Sequence, residues 1–213
     1  MKPLSLLFVP PPGGGMEVKM KKYSVQRSLM LLVLSAVLLF VLAACFDRNV
    51  EPPVKAGDIM QFGGYDWLVL DVQDGKALVI SSKILSKRQY HALLTDIAWE
   101  DCDLRKYLNG EFYNSFSAED MARIAETTFV DMSGENKTDR IFLLSYDEAN
   151  NYFASDSERI ALDMNGVASW WWLRSTIPGS DFAAIVDSEG SFPGYGEKVF
   201  YAEGVRPALW LKL

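Results

Sequence analysis

The chain predicts one α+β domain, with antiparallel strands at both ends and short helices between them. Three observations carry this. Runs rich in β-branched and aromatic residues flank Asp74-Gly75 near the start of the domain. Helix-start signals occupy the middle, where Ser117 and Ser145 are each followed three residues later by an acid. From Ala168 onward, short apolar runs return between glycine and proline clusters. Strands, then helices, then strands is the layout of a sheet that joins the two ends of the chain.

The N-terminal segment reads as an address. Lys21, Lys22 and Arg27 precede a run from Leu29 to Ala44 whose one polar residue is Ser35. Such a run suits the core of a signal peptide and is short for a bilayer crossing, which needs about 20 residues. It closes on Leu42-Ala43-Ala44-Cys45, which resembles the bacterial lipobox. In that motif a diacylglycerol is attached to the thiol and the bond before the cysteine is cut. The resemblance implies a signal peptide over 20–44, lipidation of Cys45 and stable attachment to a bacterial membrane through at least two acyl chains. An uncleaved signal anchor is the alternative. In both cases the Lys/Arg end stays inside and residues after 46 lie outside the cytoplasm. The codons for Met16-Glu17-Val18-Lys19-Met20 can spell a ribosome-binding run, so translation is expected to begin at Met20, with residues 1–19 a misplaced start.

Residues 1–44 hold five of the 21 Lys/Arg and one of the 28 Asp/Glu, which leaves 16 basic and 27 acidic residues and a formal charge of −11. Binding to nucleic acid, which rests on cations neutralising phosphate, is not expected. Once Cys45 carries lipid, Cys102 has no disulfide partner. With His91 the one histidine, a His/Cys zinc site is not expected either, and no cofactor is.

Residues 45–56, with Glu51-Pro52-Pro53, read as a stiff spacer, and residues 57–213 as a single domain. Asp58–Phe62, Tyr65–Val72 and Lys76–Ser82 are expected to form a three-stranded meander turning at Asp74-Gly75. Leu104, Tyr107 and Leu108 follow helical spacing, with Asn109-Gly110 as the stop. Ser117 caps a second short helix and Ser145 a third, running to about Phe153, with Glu148 completing a capping box. Asp139–Leu144 is expected to be a strand. Trp170–Leu173, Phe182–Val186, Val199–Tyr201 and Val205–Leu211 are the later strands, with turns at 188–190 and 193–196.

Several blocks together resemble a family of bacterial domains of unknown function. They are Gly57-Asp58 with Phe62-Gly63-Gly64-Tyr65-Asp66-Trp67, then Leu104–Asn109 with Phe112-Tyr113, then Trp171-Trp172-Leu173-Arg174-Ser175, and finally Gly204-Val205-Arg206-Pro207-Ala208-Leu209-Trp210. A weaker resemblance is to the last third of C-type-lectin-like and formylglycine-generating-enzyme-like domains, which implies a scaffold whose loops bind sugars, peptides or proteins. The calcium-dependent sugar-binding triplets are missing, and one domain cysteine rules out a paired-cysteine active site.

The candidate binding residues are Trp171, Arg174, Tyr195 and Arg206. In a strand, Trp171 points away from Trp170 and Trp172, so the triplet is either covered on both sides or shows an aromatic face to glycans. Arg174 and Arg206 sit in apolar strand surroundings and need partners, for which Asp181, Asp187 and Glu203 are available. The alternative for either is anion recognition at a cleft. Glu100, Asp101 and Asp103 suit a helix start. Catalysis by His91 in a polar loop, or by a carboxylate pair flanking a cleft, is the competing reading, but no hydrolase or phosphate-loop motif is present. The expected work is thus binding of a glycan or protein ligand. A carboxylate-dependent hydrolase acting on cell-envelope material, or a structural subunit of a surface assembly, are the alternatives.

Overall fold

The computed structural model describes residues 53–130 and 134–213. The start expected at Met20, the apolar run, Cys45 and the spacer as far as Pro52 lie outside the described residues.

The opening meander forms where the residue pattern places it, as β1 (Ile59–Phe62), β2 (Tyr65–Gln73) and β3 (Lys76–Ser81). Asp74 and Gly75 have φ of 51° and 70°, the pair of positive values that a two-residue hairpin turn needs to match strand twist. β4 (Ser86–Gln89), absent from the sequence expectation, follows. Then come α1 (Asp103–Tyr107), α2 (Ala118–Arg123), β5 (Ile124–Ala125), β6 (Thr127–Val130) and β7 (Asn136–Asp139). Two more helices, α3 (Tyr146–Tyr152) and α4 (Asp156–Arg159), lead to β8 (Trp171–Thr176) and β9 (Phe182–Val186). The chain closes with β10 (Glu197–Lys198), β11 (Ala202–Val205) and β12 (Ala208–Lys212).

The strands form two five-stranded sheets, ordered β1-β2-β3-β12-β5 and β10-β9-β8-β11-β4, with β6–β7 as a separate ribbon. The fold is α+β. β12 runs antiparallel to β3, Ala208 opposite Ile80, so one sheet does join the two ends of the domain. Both sheets feed one buried cluster, with Trp67, Val79 and Leu209 from the first and Trp171, Trp172 and Ile185 from the second. Four buried indoles each donate to an oxygen: Trp67 to the Phe62 carbonyl, Trp99 to Asp139, Trp171 to the Arg159 carbonyl and Trp172 to the Arg88 carbonyl. This lets large rings lie inside without an orphaned donor.

The structure departs from the expected elements in four places. Val205–Leu211 is two strands, broken at Arg206-Pro207, because the chain there leaves the second sheet for the first. Pro207 has no N–H for a ladder, and its carbonyl instead accepts the Ser81 N–H at 2.9 Å. Val199–Tyr201 is a turn between β10 and β11. Helical bonding does not stop at Asn109-Gly110 but runs on as a π turn over Leu108–Phe112 and a 3-10 turn over Tyr113–Ser115. Finally, Asp139 ends β7, and Arg140–Leu144 has only one ladder contact, Phe142 opposite Ala208. Side chains replace the missing ladder. Asn109 Oδ1 accepts the Arg140 and Ile141 N–H groups, and Asn109 Nδ2 donates to the Ile141 carbonyl at 2.8 Å. The amide is therefore a tertiary connector, which explains why the helix passes through it.

Gly204 marks the tightest approach in the second sheet. Its N–H donates to the Trp170 carbonyl at 2.9 Å, and a Cβ there would lie 2.5 Å from that oxygen and 2.9 Å from Ile84. The backbone oxygen cannot swing away as a side chain could. Gly204→Ala is expected to lower unfolding stability by about 1–3 kcal/mol, read as a lower urea midpoint at unchanged slope.

Candidate functional site

Four local structures converge on a cleft of about 400 Å3. Its walls are the turn at Trp99 and Glu100, the end of β6 with Phe129 and Val130, the first residues of α3, and the second half of β8.

Arg174 is the electrostatic centre of one wall. The capping box of α3 is complete: Ser145 Oγ accepts the Glu148 N–H and Glu148 returns to the Ser145 N–H. That box holds the Glu148 carboxylate against Arg174, which grips it through both Nη1 and Nη2, the latter at 2.7 Å. Arg174 Nη1 also donates to the Leu143 carbonyl at 3.0 Å, and its backbone N–H to the Leu144 carbonyl at 2.9 Å. The guanidinium is thus neutralised in place, 5.3 Å from the Phe129 ring centroid. Beside it, Ser175 Oγ accepts the Tyr146 N–H at 3.0 Å.

Trp99 forms the floor and is anchored from behind. Its indole donates to Asp139 at 2.8 Å, and Arg105 Nε donates to the other carboxylate oxygen at 2.7 Å. Asp139 is almost wholly buried. Burial pushes its carboxyl above the ordinary range, outweighing the opposing pull of Trp99 and Arg105. Tyr90, buried beneath, donates its hydroxyl to the Arg174 carbonyl at 2.9 Å and packs edge-on against Trp172. With the ion pair closed on itself, Glu100 and Asp147 are the remaining carboxylates on the lining.

The four residues singled out from the sequence scatter. Arg174 alone lines the cleft, and its partner is Glu148 rather than Asp181, Asp187 or Glu203. Trp171 has no exposed surface and Trp172 has none either, so both faces of β8 are covered there and Trp171 offers no face to a ligand, while Trp170, just before the strand, is part-exposed. Arg206 is also buried and has no carboxylate partner among the described residues. Its Nε donates to the Ser81 carbonyl at 2.8 Å, its guanidinium lies 5.1 Å from the Trp171 ring and 5.4 Å from Phe153, and its Nη1 has no hydrogen-bond partner. Burial lowers its pKa to about 10. Tyr195 is exposed on the 193–196 turn and does not line the cleft.

Sequence reasoning missed Phe129 and the role of Glu148. The β-branched run Thr127-Thr128-Phe129-Val130 was a readable strand signal. Glu148 looked fully accounted for as a helix cap, and nothing local points to Arg174, 26 residues away.

Other reactive groups are held inert or outside this cleft. His91 opens the exposed loop after β4, beside buried Tyr90, with Nδ1 2.9 Å from Asp103 and no hydrogen-bond partner on that atom. The Ala92 N–H, then the charges of His91 and Lys106, hold the Asp103 carboxyl below its ordinary range. Cys102 caps α1, its Sγ accepting the Arg105 N–H at 3.3 Å. Burial pushes the Cys102 thiol from 9.0 up to about 12. Among the described residues, no group of three or more His, Cys, Asp and Glu could hold a metal ion.

Residues 74–213 match the model of a family described as Domain of unknown function (DUF6273). The chain belongs to that family, and the match takes in the middle and C-terminal blocks noted in the sequence while beginning after the Gly57–Trp67 block. No curated protein matches the chain, and no solved structure does.

Two outcomes follow from this geometry. Arg174→Gln and Glu148→Gln are each expected to cost about 1–3 kcal/mol, with a double-mutant coupling of about 1 kcal/mol or more, because each strands a half-buried partner; urea unfolding of the four proteins measures it. A thiol with a raised folded-state pKa stabilises the fold below pH 9 and loses that contribution as pH rises towards 12. At pH 8 Cys102 should accordingly react with a disulfide reagent only at the rate of unfolding, whereas in urea it should react at once.

Proposed function

We propose that this chain is an exported, lipid-tethered binding module whose cleft takes a polar ligand of the cell exterior, a glycan being the class its lining suits best. The observation that carries the reading is the pairing of a ring face with hydroxyls around an internally neutralised charge. Phe129, part-exposed at the end of β6, offers a surface for C–H faces, Trp99 backs the cleft from the core, and Ser145, Ser175 and Thr176 line the same cleft as hydrogen-bonding groups. Pockets of this kind orient a ligand through a few polar groups on an apolar wall. Arg174, closed on Glu148, presents little free charge to attract an anion. The lipobox resemblance at Cys45 supports the tether, and the charge of −11 argues against nucleic acid as the partner.

A hydrolase is the second reading, supported by the presence of both Glu100 and Asp147 on the lining. Glycoside hydrolysis uses two carboxylates about 5 Å or 6.5–9.5 Å apart. Titration of tryptophan fluorescence with cell-envelope glycan fragments, alongside an assay for released reducing ends, separates the two. Binding without release is expected, with Phe129→Ala weakening it by about tenfold, or 1.4 kcal/mol, and with Glu100→Gln and Asp147→Asn leaving it within about threefold. Release that either carboxylate variant abolishes would establish the hydrolase. No glycan binding at all would remove the glycan reading.

A further inference from the structure

Residues 160–170 form a small hairpin that turns apolar side chains outward. Leu162 bridges Ala168, the Ser169 N–H donates to the Ala161 carbonyl at 3.1 Å, and the Asp163 N–H donates to the Val167 carbonyl at 2.8 Å. Alternate residues of a paired strand share a face. Ile160, Leu162, Ala168 and Trp170 therefore lie on one side, and Ala161 with Ser169 on the other. The inner side is closed, with Ala161 buried. The outer side and tip are open: Ile160 is 37% exposed, Leu162 42%, Met164 65% and Val167 59%.

The tip is stiff. Asp163 Oδ1 accepts the Asn165 and Val167 N–H groups at 2.8 and 3.0 Å, and the Gly166 N–H closes on the Asp163 carbonyl at 3.0 Å. The Ile84 N–H donates to the Leu162 carbonyl at 2.9 Å, fastening the hairpin to the segment after β3. A loop already ordered loses little entropy when its side chains meet another phase. Exposed lysines flank it: Lys83 precedes Ile84, and the charge of Lys87 reaches the Asp163 carboxylate. Apolar side chains bordered by lysines suit the headgroup boundary of a bilayer, where aliphatic stems can follow the apolar surface and ammonium groups stay wet.

The sequence outside the described residues says which apolar phase is at hand. Cys45 through Ala56 spans at most about 40 Å when extended. A domain of this size has a radius of gyration of about 15 Å. A tether of that length keeps the domain within about one domain diameter of lipid while leaving it free to turn any face to the surface, which raises the effective concentration of the bilayer over any free partner. We infer that the 160–170 hairpin is a lipid-contacting foot, with Ile160, Leu162, Met164 and Val167 entering the headgroup boundary of the membrane that carries the chain. This rests on the tether at Cys45 in the proposed function. Among the described residues no helix is long and apolar enough to cross a membrane.

The test uses the full chain purified with its lipid and reconstituted into phosphatidylcholine vesicles that carry a lipid nitroxide near the headgroup end of its acyl chain. A fluorophore is placed at Met164→Cys, at Val167→Cys, or at Gln73→Cys in the β2–β3 hairpin, at the end of β3 opposite Ile84. Cys102 is buried and does not compete for label. Quenching at Met164→Cys and Val167→Cys is expected to exceed that at Gln73→Cys by about threefold or more. Equal, weak quenching at all three positions on a chain whose Cys45 is acylated by mass spectrometry overturns the foot and leaves the tether standing. Labels shielded only as protein concentration rises would assign the face to a second copy and overturn it likewise. A Cys45 without acyl chains overturns the tether and the foot with it.

Discussion

The segment from Gly204 to Leu209 is the constraint on which the rest of the molecule depends. In six residues the chain lies beside Trp170 in one sheet, crosses, and enters the middle of the other beside β3. Gly204 permits the close approach before the crossing. Pro207 ends the first ladder while its carbonyl begins the next, at Ser81. Arg206 occupies the crossing itself, buried between the Trp171 and Phe153 rings, with one carbonyl as its hydrogen-bonding partner. A buried guanidinium without a carboxylate is costly, and the depression of its pKa to about 10 expresses that cost. The two ring faces offset part of it through their quadrupoles. The arginine thus links the sheets through aromatic faces and a carbonyl, not through an ion pair.

Once the sheets are joined, the cleft follows from side chains that stand in for backbone. Arg140–Leu144 ladders with β12 at Phe142 alone, and Asn109 and Arg174 supply further bonds to it. Arg174 is simultaneously clamped by Glu148, whose position is set by the α3 capping box. Tyr90 reaches the Arg174 carbonyl from below. One wall of the cleft is therefore built from groups whose polar capacity is largely spent on the fold. What faces the opening is the Phe129 ring, hydroxyls and two carboxylates, Glu100 and Asp147.

The surface has a second character away from the cleft. Trp170, the one tryptophan of the triplet with exposed surface, belongs to the outward face of the 160–170 hairpin. The same alternation that sends Trp171 and Trp172 to opposite buried sides of β8 brings Trp170 into line with Ile160 and Leu162. Cleft and hairpin draw on neighbouring stretches of the chain: β8 gives Arg174, Ser175 and Thr176 to the cleft and buries Trp171 and Trp172, while Trp170 just before it joins the hairpin.

The sequence by itself determined the local structure. Asp74-Gly75 specifies its turn because both residues adopt positive φ, and Ser145 with Glu148 specifies a helix start because the two bonds close within four residues. The α+β layout follows from the order of such signals. Only tertiary structure decided that Glu148 belongs to Arg174, that Asn109 would serve a passing segment instead of ending a helix, and that Trp171 and Arg206 would be buried. These depend on groups tens of residues apart in the chain, and a residue's polarity states that it needs a partner without saying where the fold will bring one.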